Sequence, residues 1–483
     1  MSLTLASYSM IKGAVVNVLD YGADPTGVAD SSVAIQAALT YAGSITASKV
    51  NHTAVYLPSG AYLASNLEIP LGVILFGDGP YTSQIQVTDT VNNCIKMQNY
   101  TTIDGIFFNY INQTTTIAPT VYPATIVSSA TTPGAYGVIR NVRVQGAYDF
   151  INLVGCTHFT IQNIDGMPYR YGIVMDTFLD SVTIENVHFN YSYTSFGGTL
   201  ISWIKSNAIG MTFKRVDSGK ITDYLCFGMQ NAVRFEGGLP TGSANGIYIE
   251  NFVFDLVAIP INIINFQDGI YFSNGWVTSF DGNTALSNGP CQIGNDGATY
   301  DPTQFVFFSN VKFNSFNTNL LNVACNTSFS NCAFYDYNRA DSSDATGSAV
   351  AIKTNDIFVQ FANCYFNGAA RTYSSAVYEG GTYSAYKVQV TNTDIQSMGT
   401  GKASFNLAAG RFSVSSTELA KFTFNGLTGL AKFNSLCIPS VPTAGTWAVA
   451  DRFLTSVPTV GQPKAWVCTV AGTPGTWVSE GNL

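Results

Sequence analysis

Apolar and polar residues alternate along most of this chain, and an asparagine returns inside one short phrase, apolar-x-Asn-x-x-apolar. The phrase is Ile139-Arg140-Asn141-Val142-Arg143-Val144, Ile161-Gln162-Asn163-Ile164 and Ile184-Glu185-Asn186-Val187-His188-Phe189. It comes back around Asn251, Asn274, Asn310, Asn331, Asn363 and Asn392, and its closest steps are 22 (141 to 163), 23 (163 to 186 and 251 to 274) and 21 (310 to 331). Alternation of this kind belongs to half-buried strands, and a fixed period in this range means stacked repeats. A repeat so short has no room for a helical hairpin. It fits one coil of a parallel β-helix, three short strands and three turns, with coils stacked at the strand spacing of ~4.8 Å. An Asn at the same turn of every coil can pass amide hydrogen bonds along the stack and satisfy groups that burial would leave unpaired. The longer gaps, 186 to 251, 274 to 310 and 331 to 363, read as coils carrying inserted loops, which tend to gather on the binding face. The competing reading is an ordinary β-sandwich rich in Asn turns.

The pattern changes near the N-terminus. Val16-Asn17-Val18 alternates like a strand, and a helical stretch follows with Ile35, Ala38 and Leu39 on one face and Asp30 or Ser31 as N-cap. One amphipathic helix is the expected cap over the first coil. Asp20, Asp24 and Asp30 do not have the spacing of a calcium loop, and turn and capping roles account for them.

Composition narrows the function classes. Only 11% of the 483 residues are charged, with 44 Gly, 26 Tyr and 32 Phe, as in a large β protein with many turns and an aromatic surface. A net charge of -8 without any basic stripe argues against nucleic acid. There is no run of 18 apolar residues, and the first 13 residues are polar and mixed, unlike a signal peptide. The nine cysteines form no CxxC or Cys/His cluster, so neither a metal nor any other cofactor is expected. Cys332 and Cys364 directly follow ladder asparagines and read as small buried apolar residues. A chain with free thiols is expected to fold in a reducing cytoplasm.

The run NVLDYGADPTGVADSSVAIQAAL, followed by VYLPSGAYLAS and GVILFGDG, resembles the N-terminal pattern of the pectate-lyase-like β-helix superfamily, and within it the tailspikes and capsule depolymerases of bacteriophages. ASYSMIKGAVVNV resembles the neck that precedes such β-helices. GTWAVADRFLTSVPTVGQPKAWVCTVAGTPGTW resembles a small module found at tailspike ends. The resemblance implies an all-β, right-handed parallel β-helix with a short capping helix and a small C-terminal β module, assembled as a homotrimer. It further implies a spike of the virion tail that binds and cleaves a bacterial capsule or lipopolysaccharide glycan. The expected organisation is a neck or attachment segment at 1–13, a cap at 14–50, the β-helix at 51–395, a connecting region at 396–440 and the C-terminal module at 441–483. Tailspikes usually carry a particle-binding domain before the β-helix. Here either the chain is truncated or segment 1–13 docks on a tail or baseplate protein.

No catalytic motif marks the middle of the chain, so candidates come from counting coils. Hydrolases need two carboxylates about 5–5.5 Å apart for retention or ~6.5–9.5 Å apart for inversion. Lyases need a base to take the proton beside a uronate carboxyl, and a cation to stabilise the enolate. Two residues after the ladder, with Arg215 taken as a ladder equivalent, the column reads Arg143, Asp165, His188, Asp217, Val253, Trp276, Lys312. One residue before it reads Arg140, Gln162, Glu185, Lys214, Glu250. A third column takes Ile201–Lys205 as a strand and lines up Asp176, Lys205 and Glu236.

Glu236 is the first catalytic candidate, since glutamate is scarce and Glu236 opens the insertion Gly237–Asn245 beside Arg234. Asp255, Asp176 and Asp217 follow. Trp203, Tyr248, Tyr271 and Trp276 are expected to stack on sugar rings, with Arg234, Lys205 and His188 as polar contacts. For a lyase, His188 between Asp165 and Asp217 is a candidate base, as are Lys205 and Lys214, although a surface imidazole paired with a carboxylate is the commoner explanation. Trp447, Trp466 and Trp477 read first as the core of the small C-terminal module. Low charge and an aromatic surface fit a hydrolase, a polysaccharide lyase and a non-catalytic receptor-binding spike equally; the resemblance to tailspikes implies the first, endo-acting hydrolysis of a surface polysaccharide, with the other two as alternatives. The site is expected where the period breaks, between residues 186 and 251 and just after.

Overall fold

The computed structural model describes residues 15–46, 52–129, 135–190, 199–237, 242–279, 289–295, 301–340, 347–369, 371–372, 374–379, 383, 386–396, 405–407, 411–415, 424–425, 431–434, 436–438, 440–443, 447–457 and 459–483. The neck segment 1–13 lies outside them. The chain divides into two compact units, Met1–Ala258 with Asn265–Gln267, and Ile259–Ile264 with Asp268–Leu483.

The first unit is a parallel β-helix. One sheet stacks Leu67–Ile69, Ile95–Met97, Ile126–Ser128, Asp149–Val154, Tyr171–Asp176, Ile209–Phe213 and Asn231–Phe235, every pair parallel. The ladder-bearing strands stack as Val138–Gln145, Phe159–Met167, Val182–Asn190, Asp217–Phe227 and Asn245–Asp255, again all parallel. Each of these long strands bends at its ladder residue, so one coil has three straight segments. Identical side chains fall in register: Ile139, Ile161, Ile184, Ile221 and Ile249 stack and are fully buried. At about 1.5–3 kcal/mol per buried aliphatic side chain, these columns explain why the alternation in sequence is so regular.

The asparagine is favoured at the bend for a backbone reason. Asn141, Asn163, Asn186 and Asn251 all have φ between 52° and 54°, the left-handed region that Asn tolerates better than other residues with a Cβ. Their amides then form a chain. Asn163 Nδ2 donates to Asn141 Oδ1 and Asn186 Nδ2 to Asn163 Oδ1, each at 2.9 Å. Asn141 Nδ2 donates to Asp104 Oδ1 at 2.8 Å, so a carboxylate ends the run where the coil before has Gly105 at the bend.

The gap from 186 to 251 contains a further complete coil. Glu185 pairs with Thr222 and Val187 with Tyr224, which puts Asp223 opposite Asn186, and Asp223 has φ 55°. Its ladder residue is aspartate, which a count of asparagines passes over. This corrects the use of Arg215 as a ladder equivalent and moves every column that depended on it. Ile201–Lys205 is not a strand either. It lies in a helix, Thr199–Asn207 (α2), whose buried Leu200 and Ile204 are four residues apart, a helical period that a short apolar run conceals.

The cap is the expected helix, Ser32–Ile45 (α1), burying Ile35, Ala38, Leu39 and Ala42. Asp30 accepts from Ser32 N at 2.8 Å and so performs the capping, whereas the Ser31 side chain makes no cap bond. Asp24 accepts from Thr26 N, Thr26 Oγ1 and Ala29 N, which hold its carboxyl down at about 2, a turn role.

The second unit repeats the architecture with Asn274, Asn310, Asn331, Asn363 and Asn392 at positive φ. Asn310 donates to Asn274 at 3.1 Å and Asn392 to Asn363 at 2.8 Å. Its interior carries stacked rings, Phe272, Phe308, Phe329 and Phe361 at centroid steps of 5.0, 5.2 and 5.1 Å. Cys332 and Cys364 are buried beside them, as expected of small apolar residues. Parallel pairing continues past residue 395, through Arg411–Ser415 to Ala431–Asn434. At the C-terminus Arg452–Thr455, Ala465–Val470 and Thr476–Ser479 pair antiparallel. There Trp447, Phe453 and Trp477 pack on one another at 4.8–5.6 Å, and Trp466 is buried, as a module core requires. Among the described residues no helix is long and apolar enough to cross a membrane.

Two substitutions test the ladder. Asn163→Ala removes two amide bonds and forces alanine into the left-handed region, so unfolding in urea should show a loss of about 2–4 kcal/mol. Asp223→Asn supplies the N–H that Asn186 Oδ1 lacks from the next coil and should raise stability by roughly 0.5–1.5 kcal/mol. A loss of stability in Asp223→Asn would contradict this reading.

Candidate functional site

Corrected register changes which candidates meet. Arg143, Asp165 and His188 remain consecutive neighbours, but the next residue in their column is Leu225, not Asp217. Asp217 opens its strand opposite Asn245, well away from His188 along the strand. In the column before the ladder, Thr222 stands where Lys214 was expected, between Glu185 and Glu250. Lys205 leaves the Asp176–Glu236 line because it sits in α2, largely buried. Lys214 takes its place. Lys214 N bonds Met175 O, and Glu236 N bonds Phe213 O, so Asp176, Lys214 and Glu236 occupy equivalent points on successive coils.

Glu236 faces two cations: Arg234 Nε is 2.8 Å from Oε2, and Lys214 Nζ is 3.9 Å from Oε1. The Arg234 N–H is not aligned on that oxygen, so the contact is electrostatic rather than a formed hydrogen bond. This is the geometry of a charge cluster. Residues 238–241 of the adjoining insertion lie outside the described residues. Asp176 is 4% exposed and accepts from Thr177 Oγ1 at 3.2 Å. Asp255 ends the Asn245–Asp255 strand, whereas Glu236 follows the Asn231–Phe235 strand of the other sheet. Burial raises the Asp255 carboxyl, opposed by a hydrogen bond from Leu256 N.

The aromatic candidates scatter. Trp203 packs against Tyr148 at 5.9 Å from α2. Tyr248 is 40% exposed, on the outer face of its strand beside Lys220. In the second unit Tyr271 stacks on Phe307 at 4.8 Å, and Trp276 is 38% exposed beside Lys312.

A groove of about 760 Å³ lies elsewhere, over the ladder itself, with Asn141, Asn163 and Asn186 as its floor. Its walls are Arg143, Asp165 and His188 on one side and the turn Gly77-Asp78-Gly79-Pro80-Tyr81 on the other. That turn packs tightly on the next coil: a Cβ on Gly77 would stand 2.6 Å from Gly105 O, so only glycine fits. Asp78 accepts from Tyr56 OH at 2.7 Å and from Ser59 N and Oγ at 2.8 and 2.7 Å, which hold its carboxyl below the usual range. Tyr81 OH reaches Asp165 Oδ2 at 3.5 Å, and the Arg143 guanidinium lies over the Tyr81 ring at 4.9 Å. Arg143 Nε is buried without a hydrogen-bond partner, and the nearest carboxylate oxygen, on Asp165, is 4.0 Å away. Burial pushes the His188 imidazole below its usual value, only partly offset by the Asp165 charge.

The groove is therefore lined by an imidazole that is uncharged at neutral pH, a guanidinium and a phenol. Those groups can take a proton, hold an anion and give a proton. Among the described residues no cluster of metal-ligating side chains occurs. Asp78 and Tyr81 are missing from the sequence candidates. Their one signal, a Gly-Asp-Gly-Pro turn, names a turn without saying what it faces.

His188 gives a direct check. Titration followed by nuclear magnetic resonance should place its midpoint below 6.5. Asp165→Asn should lower it further, because it removes the negative charge that favours the imidazolium. A midpoint raised by that substitution would contradict the assignment.

No curated protein sequence matches the chain. Among solved structures, the N-terminal fragment of bacteriophage Phi29 gene product 12 superposes with a TM-score of 0.57 at 11% identity, covering 89% of this chain and 80% of that one. The A-module of the Azotobacter vinelandii mannuronan C-5 epimerase AlgE4 gives 0.47 at 15% identity over 83% of this chain and 99% of that one. The catalytic unit of a GH87 α-1,3-glucanase from Streptomyces thermodiastaticus gives 0.32 at 12% identity over 86% and 69%. At these identities the Phi29 likeness bears on the fold alone. Residues 15–200, which include every residue lining the groove, match the family described as rhamnogalacturonase A/epimerase, pectate lyase-like.

Proposed function

We propose that this chain binds and cleaves an acidic bacterial surface polysaccharide, capsule or lipopolysaccharide glycan, in the groove over coils 77–188, as a homotrimeric spike of a phage tail. The observation that carries the chemistry is the column Arg143, Asp165, His188, which sets a guanidinium and an unprotonated imidazole along one wall of the groove. The polysaccharide class and the virion setting rest on the tailspike-like ends of the chain and on the pectate-lyase-like match at 15–200.

In this reading Arg143 binds the carboxylate of a uronate ring and stabilises the charge that develops when the adjacent C–H is broken. His188 takes that proton. The electron pair forms a C=C bond as the glycosidic oxygen leaves, and the Tyr81 hydroxyl protonates it. Asp165 orients both neighbours. The resemblance to tailspikes favours hydrolysis; the groove favours β-elimination, because its distinctive titratable group is a depressed base. Hydrolysis keeps one observation, the raised carboxyl of Asp255, which suits a proton donor.

One trace separates them. Elimination yields an unsaturated uronate absorbing in the near ultraviolet, and hydrolysis does not. We expect absorbance to grow with wild type and to fall roughly 10²–10⁴-fold in His188→Ala, with kcat/KM declining on the acid side below pH 6.5 as the imidazole protonates. Saturated products, with activity lost in Asp255→Asn rather than His188→Ala, would transfer the reaction to the hydrolytic reading.

A further inference from the structure

The second unit carries an outward strip that the groove chemistry does not use. On the strand segments following its ladder, Trp276, Lys312, Ala333, Tyr365 and Asp394 stand in register on successive coils. Two residues on, Asn314, Tyr335, Asn367 and Gln396 form a parallel column. The alternate residues Val277, Phe313, Phe334, Phe366 and Ile395 point inward and are buried, so the strip faces solvent. Trp276 and Tyr335 are 38% and 40% exposed.

The polar groups of the strip are arranged rather than scattered. Asn367 Nδ2 donates to Tyr365 OH at 2.8 Å, fixing that ring, and Lys312 Nζ lies 5.9 Å from the Tyr335 ring centre. At the strip's edge Asp336 is clamped by Arg339 Nη1 at 2.6 Å and Arg371 Nη2 at 2.8 Å. Two guanidiniums on one carboxylate leave net positive charge there, and Arg371 Nε is buried with no hydrogen-bond partner.

We propose that this strip is a second, non-catalytic glycan-binding site for an acidic polysaccharide lying along the coil axis. The proposal rests on the reading that the chain acts on such a glycan. Trp276, Tyr335 and Tyr365 offer ring faces to pyranoses, Asn314 offers its amide to hydroxyls, and Lys312 and Arg371 meet carboxylates, while Gln396 Nε2 holds the Asp394 carboxylate at 2.7 Å at the far end of the strip. Coils repeat every ~4.8 Å, close to the length one pyranose adds to an extended chain, so successive sugars meet successive coils. Such a site holds a long polymer on the protein between cleavage events.

The test is affinity electrophoresis of the whole chain in gels containing alginate, polygalacturonate or hyaluronate, with neutral dextran as control. Trp276→Ala/Tyr335→Ala should weaken retention by an acidic polymer roughly tenfold at an unchanged melting temperature. The paired Trp276→Phe/Tyr335→Phe variant should restore it. Turnover of short oligosaccharides should be unaffected by either, while His188→Ala should lose turnover and keep retention. Undiminished retention in the alanine variant overturns the proposal, as does a wild-type chain retained by none of the acidic polymers. Neither result touches the groove, whose activity is read separately by product absorbance.

Discussion

Everything in this protein follows from a backbone bend that one residue type tolerates and rewards. At each bend the chain enters the left-handed region, where most side chains clash with the following carbonyl. Asparagine accepts that conformation, and its amide carries both a donor and an acceptor aligned with the coil axis. One residue thus turns the strand and ties the turn to its neighbour, as the bonds from Asn186 to Asn163 to Asn141 illustrate. The ends of such a chain need other chemistry. Asp104 supplies acceptors only and closes one end, while Asp223 interrupts the run because it has no N–H to give.

The candidate site is a consequence of that regularity. Register fixes Arg143, Asp165 and His188 one coil apart, and parallel stacking makes them diverge little from a common direction. What converts a column into a groove is a single irregular element, the turn from Gly77 to Tyr81. The turn brings its phenol to Asp165 across 84 residues of sequence. A periodic scaffold supplies the spacing, and an aperiodic turn supplies enclosure, which burial then uses to depress the His188 imidazole.

Much of the fold was legible because it is written in a repeated residue whose chemistry requires the bend. The capping helix was legible from the spacing of Ile35, Ala38 and Leu39. Two things were hidden. Asp223 makes the same bend as the asparagines, and missing it displaced Asp217 and Lys214 from the columns to which coil counting assigned them. The helix Thr199–Asn207 hid inside an apolar run short enough to pass for a strand. For the site, the half carried by the ladder, Arg143 with Asp165 and His188, could be read. Asp78 and Tyr81 could not, since no local pattern states which distant coil a turn will cover. Glu236 drew attention by its rarity, yet its Arg234 and Lys214 neighbours make it a charge cluster.

The central claim is that the groove over the ladder, not the long coils after it, receives the reacting sugar. A crystal structure of the His188→Ala protein soaked with an acidic oligosaccharide tests it most directly. The account predicts a ring between Tyr81 and residue 188, its carboxylate on the Arg143 guanidinium. An oligosaccharide bound instead along Glu236, Arg234 and Lys214, with the groove empty, would contradict it.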